Sequence, residues 1–315
     1  MEFVKALILL IAGFVLLIKG ADFFVEGSSA VARRLRIPTI IIGLTIVAMG
    51  TSLPECAVSI TASLADNNAL AVSNAVGSNI FNLMVVCGFC AFFNPLHVEK
   101  VTLKREYPFS MVCVLLLLGL GVWGMSLGRG DGVLFLVLFA GFLLWMVMSA
   151  LKSRTKNEKA ENDDKPLLPV WKCLLYIAGG VTAIKFGGDF VVDGASSVAL
   201  GFGLSQNLVG LTIVAMGTSL PELVTSVVAA RKNELDMALG NIIGSNVFNV
   251  LFVLGVAAAI SPIAFVTENV IDIIILTAMS ALVWIFAWTK YKIEKAEGIA
   301  CLACYAAYMV YICVR

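Results

Sequence analysis

Gly43–Glu55 reads GLTIVAMGTSLPE, and Gly210–Glu222 reads GLTIVAMGTSLPE again. The offset of 167 residues between Gly43 and Gly210 persists without a gap at other landmarks: Asp22/Asp189, Gly77-Ser78-Asn79/Gly244-Ser245-Asn246, Phe81-Asn82/Phe248-Asn249, Gly88/Gly255 and Pro95/Pro262. One unit is written twice, so the two halves share one architecture.

The surroundings of the repeat are apolar. Of 315 residues, 60% are AVILMFWYC, 27 more are glycine and only 14% are charged, against a roughly 45–50% apolar share in soluble domains. A soluble core of this length cannot hide so much apolar surface, which excludes a soluble enzyme. A net charge of +1 leaves no basic excess for a nucleic-acid backbone. A multi-pass membrane protein is the class that remains. Phe3–Ile18, headed by Lys5, is followed by Lys19, Asp22 and Glu26 rather than by a small-residue cleavage site, and reads as an uncleaved first helix. The eight cysteines, scattered mostly through apolar segments, form no disulfide framework.

A helical crossing needs roughly 20 residues, and each half supplies five such stretches. They lie near 3–24, 37–64, 69–93, 108–127 and 132–151, then near 170–192, 204–230, 235–260, 270–289 and 296–314. The expectation is an all-α membrane protein of ten transmembrane helices in two repeats, 1–151 and 169–315, joined by a polar cytoplasmic linker over 152–168. Five is odd, so the second half enters the membrane inverted. Loop charges agree: Arg33, Arg34, Arg36, Lys100, Lys104 and Arg105 have no counterparts one repeat later, whereas Arg231, Lys232, Lys290, Lys292 and Lys295 fall in the loops where the bias swaps. One side thereby holds 17 of the 22 Lys and Arg, which puts both termini outside the cytoplasm of an inner membrane.

Within this apolar chain GTSLPE is an expensive sequence. A carboxylate near mid-membrane costs several kcal/mol, about 2.5–3.5 on insertion scales, unless a partner or a water-filled cavity receives it. Glu55 and Glu222 occupy the same place in two inverted copies and should converge at the midplane, where a shared cation relieves their repulsion. Ala48, Thr51, Ser52 and Glu55 follow i, i+3, i+4, i+7 on one helix face, as do Ala215, Thr218, Ser219 and Glu222. Pro54 and Pro221 carry no N–H, which frees the carbonyls of Gly50 and Gly217. Asn74, Ser78 and Asn82, with Asn241, Ser245 and Asn249, place three further polar side chains on one face of the next helix. All are hard oxygen donors, suited to calcium or sodium and not to copper or zinc. Helices 2 and 3 should therefore pack against helices 7 and 8 around the site. Gly77, Gly240 and Gly244 read as small residues for close helix packing.

Paired GTSLPE segments, each followed by GSNxFN, resemble the alpha-repeats of the calcium/cation antiporter superfamily, in its sodium/calcium exchanger branch of prokaryotic type. The resemblance covers essentially the whole chain. It implies alternating access and exchange of calcium against sodium at one site, with more than two sodium ions per calcium. Its ion ligands would be Ala48 (carbonyl), Thr51, Ser52, Glu55, Ser78 and Asn82, then Ala215 (carbonyl), Thr218, Ser219, Glu222 and Ser245. The last family position falls on Asn249, where many relatives carry aspartate; the missing acid argues against potassium co-transport. No cofactor, nucleic acid or protein partner is implied beyond the transported ions and the lipid bilayer.

Three other features are read as structural. Asp22/Glu26 and Asp189/Asp193 are taken as solvated helix ends. Cys87-x-x-Cys90 and Cys301-x-x-Cys304 are taken as small buried residues, and the acidic stretch Glu158–Asp164 as a solvated tether without calcium-loop spacing. Two rival functions stay open: a proton/calcium antiporter of the same fold, whose branch resembles GNxxE where this chain has Gly50–Glu55, and a passive cation channel using the same oxygens. An intramembrane enzyme is not expected, because no HExxH or comparable set is present.

Overall fold

The computed structural model describes residues 2–65, 68–157, 168–203 and 215–314, with Val209 and Ile213, and shows helices joined by two short ribbons. In chain order the helices are α1 (Glu2–Leu35), α2 (Thr39–Thr51), α3 (Leu53–Leu64), α4 (68–93), α5 (Lys100–Lys104), α6 (Glu106–Val122) and α7 (Arg129–Asn157). The second half gives α8 (Val170–Gly201), α9 (Ala215–Gly217), α10 (Leu220–Arg231), α11 (Leu235–Ile260), α12 (Thr267–Lys290) and α13 (Lys295–Val314). Strands β1 (Leu96–His97) and β4 (Lys292–Ile293) pair antiparallel, and so do β2 (Ser126–Leu127) and β3 (Ile263–Ala264). β3 stands one repeat after β1, so each ribbon joins the two halves, and each is the other's image.

Among the described residues, eight helices are long and apolar enough to cross a membrane, or nine if the bent pair α2 and α3 counts as one span. The expected span 204–230 reaches into 204–208, 210–212 and 214, which lie outside the described residues, as does the acidic stretch 158–164 of the linker. The largest departures from the expected boundaries are in α1 and α8, which run to Leu35 and Gly201 rather than stopping near 24 and 192. Hydropathy drops at Asp22/Glu26 and Asp189/Asp193, but acidic residues do not end a helix. Ending one takes a breaker, here Ile37-Pro38 and Gly201–Gly203.

α1 and α8 pack along a glycine seam. A Cβ added to Gly13 would lie 2.7 Å from the Val191 backbone nitrogen, one on Gly20 2.9 Å from that of Ile184, and one on Gly27 3.0 Å from the Cys173 carbonyl. Partner numbers fall as Gly13, Gly20 and Gly27 rise, so the two helices run antiparallel. Gly180, Gly187 and Gly194 repeat the pattern one repeat later, with Gly187 approaching Leu17 N to 2.7 Å. The seven-residue spacing keeps one face toward the partner along the whole contact.

Among the described spans α4 and α11 are the most buried. α2 lies backbone against backbone on α11: a Cβ on Gly43 would meet Met237 O at 2.6 Å, one on Gly240 Ile40 O at 2.6 Å, and one on Gly244 Leu44 O at 2.6 Å. The packing expectation thus describes Gly240 and Gly244. It does not describe Gly77, which has nothing within 4 Å of an added Cβ. Single π-helical turns interrupt α2 at Gly43–Val47, α4 at Asn82–Val86 and α11 at Asn249–Val253. All eight cysteines are free, with Cys87, Cys90 and Cys301 buried and Cys304 partly so.

Candidate functional site

The site grows out of two helix breaks. At Ser52 (φ −84°, ψ 13°) the chain bends by 49° between α2 and α3, and Pro54 occupies the first turn of α3, where a missing N–H costs nothing. Ser219 (φ −93°, ψ 4°) and Pro221 take the corresponding positions before α10. A serine before a helix ordinarily caps it. Neither Ser52 nor Ser219 does so: each hydroxyl crosses to the other repeat.

Ser52 Oγ donates to Glu222 Oε1 at 2.7 Å, and Ser219 Oγ donates to Glu55 Oε1 at 3.1 Å. Ser78 Oγ adds a bond to Glu55 Oε1 at 3.3 Å and lies 2.9 Å from Ser219 Oγ. Both glutamates are completely buried. Behind them Asn74 Nδ2 donates to Ser59 Oγ at 3.0 Å and to the Glu55 carbonyl at 3.2 Å, and Asn241 Nδ2 donates to Ser226 Oγ at 2.8 Å. Thr51 Oγ1 donates across the halves to Asn241 Oδ1 at 3.1 Å. Deeper in, Asn82 Nδ2 donates to Asn246 Oδ1 at 3.2 Å, while Asn249 Nδ2 donates to Asn79 Oδ1 at 3.0 Å and to Ser78 Oγ at 3.2 Å.

What this network leaves over is more telling than what it satisfies. Glu55 Oε2, Glu222 Oε2, Asn82 Oδ1, Asn249 Oδ1, Thr218 Oγ1 and Ser245 Oγ are buried without a hydrogen-bond partner. Each is an oxygen, four of the six can only accept, and such orphans are rare because each costs about 1–3 kcal/mol, more when charged. An oxygen-lined, doubly acidic set of this kind is chemically a receptor for hard cations.

Of the residues singled out from sequence, Ser52 meets Glu222 and Ser219 meets Glu55 across the halves, while Ser78, Asn249 and, through Asn79 and Asn246, Asn82 are linked to the second pair. Thr51 is turned partly away, with its hydroxyl also near Val47 O at 3.1 Å. The Ala48 carbonyl accepts the Ser52 N–H at 3.1 Å and keeps its second lone pair beside Thr51 Oγ1 at 3.3 Å. For Ala215 only the helical backbone is described. Asn79 and Asn246 escaped the sequence reading: they sit beside Ser78 and Ser245 in GSN, but off the i, i+4 face that drew attention.

The surroundings of the two helix breaks differ. A cavity of about 420 Å³ is lined by Pro54, Gly217, Thr218 and Pro221 together with Asp189 and Asp193, and Asp189 pairs, among the described residues, with Lys185 of its own helix at 2.9 Å. On the image side Asp22 and Glu26 are not merely solvated, as expected, but are held from α10: Lys232 Nζ lies 3.1 Å from Asp22 Oδ1, 2.9 Å from the Asp22 carbonyl and 4.0 Å from Glu26. Arg33 pairs with Glu234 at 3.5 Å, and Ser29 Oγ donates to the same carboxylate.

The sodium/calcium exchanger protein family matches residues 5–148 and 172–314. CaxA of Alkalimonas amylolytica is 44% identical over 268 residues, covering 82% of this chain and 81% of its own. Sodium/calcium exchanger MaX1 of Methanosarcina acetivorans is 29% identical over 346 residues, covering 97% of each chain. Among solved structures, the sodium-calcium exchanger NCX_Mj soaked with 2.5 mM Na+ and 0.1 mM Ca2+ superposes with a TM-score of 0.84 at 33% identity, covering 97% of this chain and 98% of that one.

Proposed function

The chain belongs to the sodium/calcium exchanger family, and on that premise we propose that it exchanges calcium against sodium by alternating access at one site built from both repeats. The observation that carries this reading is the set of buried, unpartnered oxygens headed by Glu55 Oε2 and Glu222 Oε2. Calcium takes about six to eight oxygens, and the two carboxylates balance its charge. The ligand set we assign is Ala48 O, Thr51, Ser52, Glu55, Ser78 and Asn82 with Ala215 O, Thr218, Ser219, Glu222, Ser245 and Asn249.

Sodium is coupled to calcium because both need the same two carboxylates. Occupancy by one ion excludes the other, while an empty, doubly negative site crosses poorly through apolar surroundings, so leak is suppressed. The antiparallel seam of α1 and α8 supports an arrangement of two inverted five-helix repeats, 1–151 and 169–315. The loop charges support an inner-membrane orientation with both termini outside the cytoplasm.

The test is calcium-45 uptake into proteoliposomes preloaded with sodium, comparing wild type with Glu55→Gln and Glu222→Gln, with potassium loading and a pH gradient as controls. Uptake should require internal sodium and be lost in both variants. Uptake driven equally by a pH gradient would assign the coupling ion to the proton, and uptake independent of any internal cation would mean a channel.

A further inference from the structure

Two cavities share a wall at the basic end of the fold. One, of about 410 Å³, is an apolar groove between α2 and α7 lined by Leu35, Ile42, Leu143 and Val147. The other, of about 500 Å³, is lined by Lys100, Lys104, Arg105 and Lys152 with Glu99 and Glu106. Ile41 and Met146 line both, so groove and basic pocket adjoin across these two side chains. Lys100 and Lys104 lie over Tyr291 and Trp288, at 5.2 and 6.0 Å from the ring centroids. Paired Trp and Tyr at a helix end mark the depth of a membrane–water interface. Among the described residues none of the four cations is in a salt bridge. Glu106, only 9% exposed, keeps Oε2 without a hydrogen-bond partner.

We propose that these two adjoining cavities together bind one anionic phospholipid with a hydroxylated headgroup. Its phosphate sits among Lys100, Lys104, Arg105 and Lys152, a headgroup hydroxyl donates to Glu106 Oε2, and one acyl chain fills the groove. The charge balance selects this class. Four cations against two carboxylates leave a net positive lining, which a monoanionic headgroup reduces and a zwitterionic one does not. The orphan carboxylate oxygen needs a donor, which a hydroxyl provides and a bare phosphate monoanion supplies poorly. A soluble phosphate would also leave the groove unfilled. The bound chain lies against Ile41, Ile42 and Thr45 of α2, three residues before Ala48, so its occupancy bears directly on the helix that enters the transport site.

The experiment is native mass spectrometry of the delipidated full chain with equimolar phosphatidylglycerol and phosphatidylethanolamine, and separately with sn-glycerol 3-phosphate. Phosphatidylglycerol should be retained about tenfold over phosphatidylethanolamine, a difference of about 1.4 kcal/mol, and glycerol phosphate should not be retained. K100Q/K104Q/R105Q/K152Q, which changes only exposed side chains, should lose that preference, and Ala150→Phe, which fills the groove, should lose both lipids. Equal retention of the two lipids, undiminished preference in the quadruple variant, or glycerol phosphate bound as well as lipid would overturn the proposal. So would a preference that emerges only when Glu158, Glu161, Asp163 and Asp164 are neutralised, because the cations would then belong to the chain's own acidic linker.

Discussion

Asn79 and Asn246 donate to each other's backbone: Asn79 Nδ2 lies 3.2 Å from Asn246 O, and Asn246 Nδ2 lies 3.5 Å from Asn79 O. Each is the other's image one repeat away, so the pair marks the local axis of the two halves. Their side-chain oxygens receive the amides of Asn249 and Asn82. That engagement fixes which way those two amides face, and it leaves Asn82 Oδ1 and Asn249 Oδ1 as the free acceptors.

Removing either member should therefore hurt in the same way. Asn79→Leu and Asn246→Leu each remove one bond to a buried carbonyl and one acceptor from a buried amide, a loss of about 1–3 kcal/mol apiece. The double variant should cost less than the sum, because the two share partners. Thermal unfolding in detergent measures all three, and a large effect at one position with none at the other would remove the symmetric role.

The glycine seam gives a second expectation. Gly20→Val places a side chain where even a Cβ would be 2.9 Å from the Ile184 nitrogen, an overpacking of about 1–3 kcal/mol that forces α1 and α8 apart. Gly119→Ala, in the last turn of α6 with nothing within 4 Å of an added Cβ, should be neutral or stabilising by about 0.5–1 kcal/mol. If both variants unfold at the wild-type temperature, the seam is not a tight contact.

Lys232 ties α10 to α1 on one face only. The partners are about one-third exposed, so the bond is worth less than about 1 kcal/mol, enough to bias an opening equilibrium a few-fold. Lys232→Glu should change the rate of sodium-driven calcium uptake a few-fold at low salt. Asp22→Lys added to it should restore the rate, and the difference should fade at high ionic strength. A rate change that neither the charge swap nor salt reverses would assign Lys232 a packing role instead.

Much of this arrangement is written in the chain because polar groups are conspicuous among apolar ones. Glu55, Ser52, Asn82 and their images announce themselves, and an exact offset pairs them. Which partner each finds is a tertiary matter. That Ser52 reaches Glu222 rather than capping its own helix depends on how α2 lies on α11, and Gly43 and Gly240 set that approach to within a van der Waals contact. The seam of Gly13, Gly20 and Gly27 has visible spacing but no polar flag. The ends of α1 and α8 were hidden because hydropathy reports where lipid stops, not where hydrogen bonds do. The hold of Lys232 on Asp22 joins residues 210 apart in sequence, and no local pattern contains it.

Asn249 offers the sharpest test of charge at the site. Its Nδ2 donates to Ser78 Oγ and Asn79 Oδ1, and Asn249→Asp replaces that donor with a charged acceptor facing two acceptors. It also sets a third negative charge beside Glu55 and Glu222, so a calcium ion no longer neutralises the set. The excess charge must be met by a further monovalent cation or by a proton, and a protonated aspartate recovers one donor. Calcium uptake by Asn249→Asp in potassium-free medium at neutral pH should fall about tenfold, equivalent to about 1.4 kcal/mol. Added potassium or a lower pH should recover part of it, whereas wild type should be indifferent to potassium. Asn82→Asp, its image, should respond alike. Wild-type uptake by both variants without potassium would show that neither position lies close enough to the carboxylates to share their ion.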